Sequence, residues 1–396
     1  MSNKLKKIIF IVSGVIIVLA SFFVGSYFYQ KNVIAIINDY LPFIGQVDQM
    51  NDYSVMVAND YVAPVIRQKP AKINVKGLYA TAYSGSNDSK IDYYIDIAKR
   101  TEINAIVIDI KDSTGYVFYD SQVPDVIKYN AKKVLIKDLK KTIDKLHENG
   151  VYVIARQVVF QDPIAAAADN NLAVKSSAGG IWRDNRGLAW VDASNEDNWN
   201  YVLEITKEVI SYGVDEINFD YIRFPSDGNI STMRFKNWNP EMGRKSVVMK
   251  KFFKFLYDNL KDEPAYLSVD LFGLTTERTD DMNIGQEIED AALYFDFICP
   301  MVYPSHYPSG YLNFKNPAAE PYAVVYNAIL KGIESLATVP ENRAEIRPWL
   351  QDFDMGAVYT SSMVKAQIQA SEKAGGIGYL IWDPRNDFTV SAFNLE

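Results

Sequence analysis

The chain has 396 residues, 48% of them hydrophobic and 23% charged, which excludes wholesale disorder and leaves room for one large domain or two or three small ones. Its 41 cations stand against 49 anions, and a net charge of −8 speaks against a nucleic-acid binder, which needs clustered cations. A single cysteine, Cys299, and two distant histidines, His147 and His306, exclude an internal disulfide, cysteine-based metal sites and three-histidine zinc chemistry, so no metal or cofactor is expected and catalysis must rest on carboxylates, tyrosines, lysines or backbone dipoles.

Residues 1–29 hold Lys4, Lys6 and Lys7 and no acid, leaving 38 cations against 49 anions, or −11, in the rest. Ile8–Gly25 then runs for 18 residues without a charge, long enough to cross a bilayer as a helix. Tyr27 and Tyr29 suit the interface beyond it, and the lysines stay cytoplasmic by the positive-inside rule. A cleaved signal peptide would need a small-residue site, which Ala20-Ser21-Phe22 matches poorly. The expectation is an uncleaved single-pass transmembrane anchor over 1–30, with the remainder extracytoplasmic. Residues 31–72, broken by Pro42, Pro64 and Pro70, read as a stalk and a segment packed on the main domain, residues 73–396.

From Val75 onward, short β-rich runs alternate with longer helical stretches, the signature of parallel βα units. Strands are expected near Val75–Ala82, Asn104–Lys111, Val151–Val158, Asp215–Tyr221, Ala265–Leu271, Asp296–Tyr303, Glu345–Gln351 and Gly376–Trp382. The apolar spacing from Lys133 to Leu146 predicts a helix between the second and third. Eight such units predict a (β/α)8 TIM-type barrel. A doubly wound open sheet is the alternative, but its Gly-rich phosphate turn is absent. Segments leaving the strands are long and those entering them short, so the extra length lies where barrel active sites form. Only Asp383–Glu396 follows the eighth strand, so part of 31–72 is expected to cover the gap left by a missing closing helix.

Alternation along Asp215-Glu216-Ile217-Asn218-Phe219-Asp220 puts Ile217 and Phe219 under the outer helices and points Glu216, Asn218 and Asp220 inward, with Asp220 last, at the mouth. The same reading places Asp109 and Lys111 on strand two, Arg156 on three, Ser268 and Asp270 on five, with Tyr303, Gln351 and Asp383 closing six, seven and eight. So many charges inside a barrel are costly unless they pair or do chemistry. Either they form a two-carboxylate hydrolytic site, or they form internal ion pairs such as Glu216 with Arg156 and Asp109 with Lys111. Aromatics gather on the loop side: Tyr79, Tyr83, Trp182, Trp190, Tyr303, Tyr307, Trp349 and Trp382, each a stacking surface for a sugar ring or a core residue. His306 is the histidine placed near the mouth, and His147 reads as a charge partner at a helix end.

The strings Val75-Lys76-Gly77-Leu78-Tyr79, Ile108-Asp109-Ile110-Lys111-Asp112, Asp215 through Pro225 (DEINFDYIRFP) and Pro300 through Tyr307 (PMVYPSHY) resemble the bacterial Putative glycosyl hydrolase domain family over about residues 73–390. The resemblance implies a TIM-type barrel related to glycoside hydrolases, commonly on exported or membrane-anchored proteins. By analogy with barrel glycosidases it implies Asp220 as nucleophile or base, and Asp270 as its partner at a place where glutamate is more usual. Tyr79, Asp109, Lys111, Arg156, Arg223, Tyr303, His306, Trp349, Trp382 and Asp383 are then expected to bind substrate or tune acidity. The expected substrate is a cell-wall or extracellular polysaccharide. The alternative from another class is a non-catalytic glycan-binding or wall-scaffolding barrel.

Overall fold

Aliphatic and β-branched residues build eight short strands in the computed structural model, which describes residues 67–394. They are β1 (Lys76–Ala80), β2 (Ala105–Lys111), β3 (Tyr152–Val158), β4 (Glu216–Asp220), β5 (Tyr266–Phe272), β6 (Phe297–Met301), β7 (Trp349–Gln351) and β8 (Tyr379–Trp382). Neighbours pair in parallel all the way round, and β1 bonds both β8 and β2, so the sheet closes into a barrel. Each strand falls inside the segment expected from sequence, except that β5 runs one residue further, to Phe272. The seventh is cut short because Pro348 has no N–H for the ladder: Glu345–Ile346 pairs with β6, and β7 resumes at Trp349.

Each of the first seven strands leads to a helix that returns toward the next: α1 (Asp88–Arg100), α2 (Leu139–Glu148), α3 (Glu196–Ser211), α4 (Ser246–Leu260), α5 (Ile288–Ala292), α6 (Pro321–Ala337) and α7 (Ser361–Ala374), with shorter helices at Ala82–Gly85, Pro124–Lys128 and Pro163–Ala168. Side-chain caps fix where several begin: Asn87 accepts from the Lys90 amide, Asp138 from Lys141 and Thr360 from Met363. Gly375, at φ 98°, ends α7 in the left-handed conformation.

One expectation fails here. Lys132–Ile136 is not the start of α2 but a strand, pairing in parallel with Val117–Tyr119, itself antiparallel to β2 at Lys111. The Asp138 cap, not the apolar spacing before it, sets the helix start. After β8, Asp383–Asn394 runs along the outside, with Phe388 against Tyr94 of α1 and the Asn394 amide on Glu102, while most of the 31–72 segment expected to cover this side lies outside the described residues. The described part of the preceding segment instead reaches the strands' amino ends, where Lys69 pairs with Asp296 and the Pro70 carbonyl accepts from Tyr266. Residues 31–66 and the Ile8–Gly25 run lie outside the described residues. Among the described residues no helix is long and apolar enough to cross a membrane.

The barrel interior is polar at its lower level too. Glu216 pairs with Arg347, both fully buried, rather than with Arg156. Tyr152 donates to the other Glu216 oxygen at 3.2 Å, and the guanidinium carbon of Arg347 lies 4.3 Å from the Phe297 ring centre. Removing one partner of such a pair strands a buried charge. Arg347→Met is expected to lower unfolding free energy by about 3–5 kcal/mol in urea denaturation, with Glu216→Leu added to Arg347→Met recovering most of the loss. A neutral Arg347→Met would show that the pair does not hold the barrel floor.

Candidate active site

The upper level of the barrel is organised by Arg156 on β3. Register places Asp109 of β2 beside it on one side and Asn218 of β4 on the other. Arg156 Nη1 donates to Asp109 Oδ1 at 2.5 Å, while Nε, at 3.2 Å, and Nη2 both reach Asp220 Oδ2. Tyr79 of β1 donates to the second oxygen of Asp109 at 2.5 Å. The Tyr79 ring stacks on Trp382 of β8, with centroids 3.8 Å apart, and the guanidinium carbon lies 5.2 Å from the Trp382 ring centre. Burial disfavours the Arg156 charge, but Asp109 and Asp220 outweigh it and hold its pKa far above the ordinary value. For Asp109 burial wins and the pKa rises, against the pull of Arg156.

Asp220 ends β4, and the chain turns at once. Tyr221 adopts φ 49°, a strained left-handed conformation for a non-glycine residue. That turn brings the Tyr221 amide back onto Asp220 Oδ1 at 2.6 Å. Both oxygens of Asp220 are thus occupied by donors suited to a carboxylate.

Asp270 sits on the neighbouring strand, one step past the pairing of Phe219 with Val269. Its donors are neutral: Asn218 Nδ2 at 2.8 Å and Trp349 Nε1 at 2.7 Å, both to Oδ1. Burial, and next the charge on Asp220, push its pKa well above the aspartate range, and the opposing pull of Arg156 and these two donors does not cancel that. Two aspartates in adjacent positions therefore stand in opposite environments.

Above them opens a cavity of about 500 Å³. Arg156, Asp220 and Asp270 line it with Trp349 and Trp382, and Tyr221, Arg223, Phe272, Tyr303, His306 and Tyr307 contribute from the strand ends and loops. The loop after β5 can press on β6 because residue 273 is glycine: a Cβ there would lie 2.5 Å from the Met301 carbonyl oxygen. Burial, and then the charges of Asp270 and Asp220, keep Tyr303 a neutral phenol. Burial lowers the pKa of His306, whose Nδ1 is 3.1 Å from Ser305 Oγ.

Most of the expected site residues meet here, with Tyr79 and Asp109 one layer behind Arg156. Two do not. A β-bulge between Asp109 and Lys111 breaks the alternation, and Lys111 turns to a buried ion pair with Asp162 at 2.9 Å, neither facing the cavity nor pairing with Asp109. Asp383 is buried as a turn-former, accepting from the Arg385 amide and, through its carbonyl, from Asn386. Gln351 braces the loop after β6 by accepting from Ser305, and His147 pairs with Asp215 at 2.7 Å at the end of α2. Trp182 is core and Tyr83 is exposed away from the cavity. Sequence reasoning did not assign Tyr221, Phe272 or Asn218 to the site. Asn218 shares the inward face with Asp220, and that was the signal available for it.

A family model described as Putative glycosyl hydrolase domain matches residues 77–388. Among solved structures, a hypothetical protein of Ruminiclostridium thermocellum is 40% identical over 49% of this chain and 96% of its own, with a TM-score of 0.45. The PgaB (BpsB) glycoside hydrolase domain of Bordetella bronchiseptica is 13% identical, covering 81% of this chain and 99% of its own, with a TM-score of 0.53. An inactive mutant of an exo-β-N-acetylglucosaminidase from Vibrio harveyi is 9% identical, over 82% of this chain and 54% of its own, with a TM-score of 0.50. The last two likenesses show the barrel fold. No curated protein matches the chain.

The raised pKa of Asp270 makes stability depend on pH. In the native protein it keeps a proton that the unfolded chain gives up, so its contribution falls as pH rises from about 4 toward the raised value. Asp270→Asn imitates the protonated form. Its melting temperature is expected to equal that of the wild type near pH 4 and to exceed it increasingly toward pH 8; a constant difference across that range would contradict the assignment.

Proposed function

Because the chain belongs to the Putative glycosyl hydrolase domain family, we propose that it hydrolyses glycosidic bonds of a cell-wall or extracellular polysaccharide with Asp220 and Asp270. One observation carries this: neighbouring aspartates at the cavity floor, one in a guanidinium and amide clamp, the other buried with neutral donors and its pKa raised. Glycoside cleavage needs that asymmetry, an acid to protonate the leaving oxygen and a base or nucleophile for the anomeric carbon.

In this reading Asp270 is the acid. Both its hydrogen bonds go to Oδ1, so Oδ2 carries the proton, which passes to the glycosidic oxygen as the C–O bond breaks. Asp220 stabilises the positive charge growing on the sugar ring and either bonds its anomeric carbon, which water then displaces while giving its proton to Asp270, or takes the proton of a water that attacks that carbon directly. Arg156 aims the Asp220 carboxyl, and Tyr79 and Asp109 hold Arg156. Trp349 and Trp382 offer indole surface to the ring bound above. The likeness of fold to the Bordetella glycoside hydrolase domain agrees with this reading.

The uncharged run Ile8–Gly25 behind Lys4, Lys6 and Lys7 supports an extracytoplasmic barrel tethered by residues 1–30. A polysaccharide outside the membrane is then the substrate within reach.

Purified bacterial wall and capsule glycans, followed by release of reducing ends, provide the test. Asp220→Asn is expected to lower turnover to background, and Asp270→Asn to lower kcat by about 10²–10⁴-fold and remove the alkaline fall of the pH profile. Turnover by Asp220→Asn equal to that of the wild type would overturn the assignment.

A further inference from the structure

The cavity wall carries a second guanidinium, and its surroundings differ from those of Arg156. Arg223 is 8% exposed. Its Nη1 donates to the Phe224 carbonyl at 3.1 Å and to Ser226 Oγ at 3.2 Å, and no carboxylate among the described residues forms an ion pair with it. The acids that act on it through space are otherwise engaged or remote. Asp220 is held by Arg156, and Asp227 is exposed. Asp184 accepts from Gln161, Trp190 and the amides of Arg186 and Leu188.

Three rings position the guanidinium without neutralising it: Phe272, Trp190 and Tyr221, with centroids 4.7, 4.9 and 5.1 Å from its central carbon. Burial pulls its pKa down, the mark of a cation short of compensating charge. A buried cation without an anion is costly, and here it faces a cavity that already holds one ionised pair. Among the described residues no acceptor bonds the Nε and Nη2 edge, the edge that grips planar oxyanions in pairs.

We propose that Arg223 selects an anionic saccharide, its Nε and Nη2 edge taking the two oxygens of a sugar carboxylate or of a phosphate or sulfate ester. The inference rests on the cavity being a saccharide site and names the class of saccharide. It assigns to one residue a preference that the chain's net charge opposes, since −11 outside residues 1–29 repels polyanions at long range. Recognition of the anion is therefore local, at Arg223.

Calorimetric binding to the full-length protein separates the possibilities. Acidic wall and capsule glycans are titrated intact, after reduction of carboxyl groups to alcohols, and after removal of phosphate and sulfate esters. One of the two treatments is expected to weaken binding by tenfold or more, and which one does so identifies the anion. Arg223→Gln should bind the intact glycan as weakly as the wild type binds the treated one, Arg223→Lys should fall between, and both should bind neutral glycans like the wild type. The proposal is overturned if treated and intact glycans bind the wild type alike, a comparison that needs no variant to fold. It is also overturned if Arg223→Gln loses affinity for neutral and acidic glycans equally. Binding is read without turnover, so a glycan bound through its charge but never cleaved would sink the hydrolase reading and leave this one standing.

Discussion

The guanidinium of Arg156 ties the upper half of the barrel together. It bonds carboxylates from β2 and β4 and lies over the stacked rings of β1 and β8, so five of the eight strands meet at one side chain. A cation buried this deeply is tolerable only if its anions stay ionised, and those anions are aimed only if the cation stays put. The position of Asp220, and the like-charge pressure on Asp270 beside it, follow from that mutual dependence.

Arg156 also limits what Asp220 does to its neighbour. Asp220 raises the pKa of Asp270 and Arg156 lowers it, while burial exceeds both. The neighbouring aspartates thus stand in unlike surroundings, Asp220 against a guanidinium and an amide, Asp270 against two neutral donors. The lower pair, Glu216 with Arg347, lies one level down and outside the lining of the cavity. Carboxylate–arginine pairs thus stand at both levels of the barrel, and depth decides which of them faces the cavity.

The eight strands and the inward set of β4 could be read from sequence because period-two alternation is strict where both faces of a strand are committed. Glu216, Asn218 and Asp220 obey it, and so does Asp270 on β5. Lys111 escaped because one bulge after Asp109 reverses the face of everything beyond it, and a bulge leaves no mark in an aliphatic run. The strand Lys132–Ile136 escaped because a short apolar run fits either period, and only its pairing with Val117–Tyr119 decides. The ion-pair partners escaped for a different reason. Arg347 meets Glu216 across the barrel, 131 positions away, a contact that closure of the sheet creates and no local pattern announces. Asp383 looked like the end of an inward face, yet the turn that places Asn386 at φ 56° takes it for its own hydrogen bonds.

The proposed division of labour between the two aspartates turns on Asp270 holding its proton beside Asp220. Carbon-13 NMR of aspartate carboxyl groups, titrated from pH 3 to 9 and assigned through Asp270→Asn, reads that directly. The signal lost in Asp270→Asn is expected to titrate well above the ordinary aspartate range of about 4. A signal that titrates near 4 would contradict the division of roles between the two aspartates.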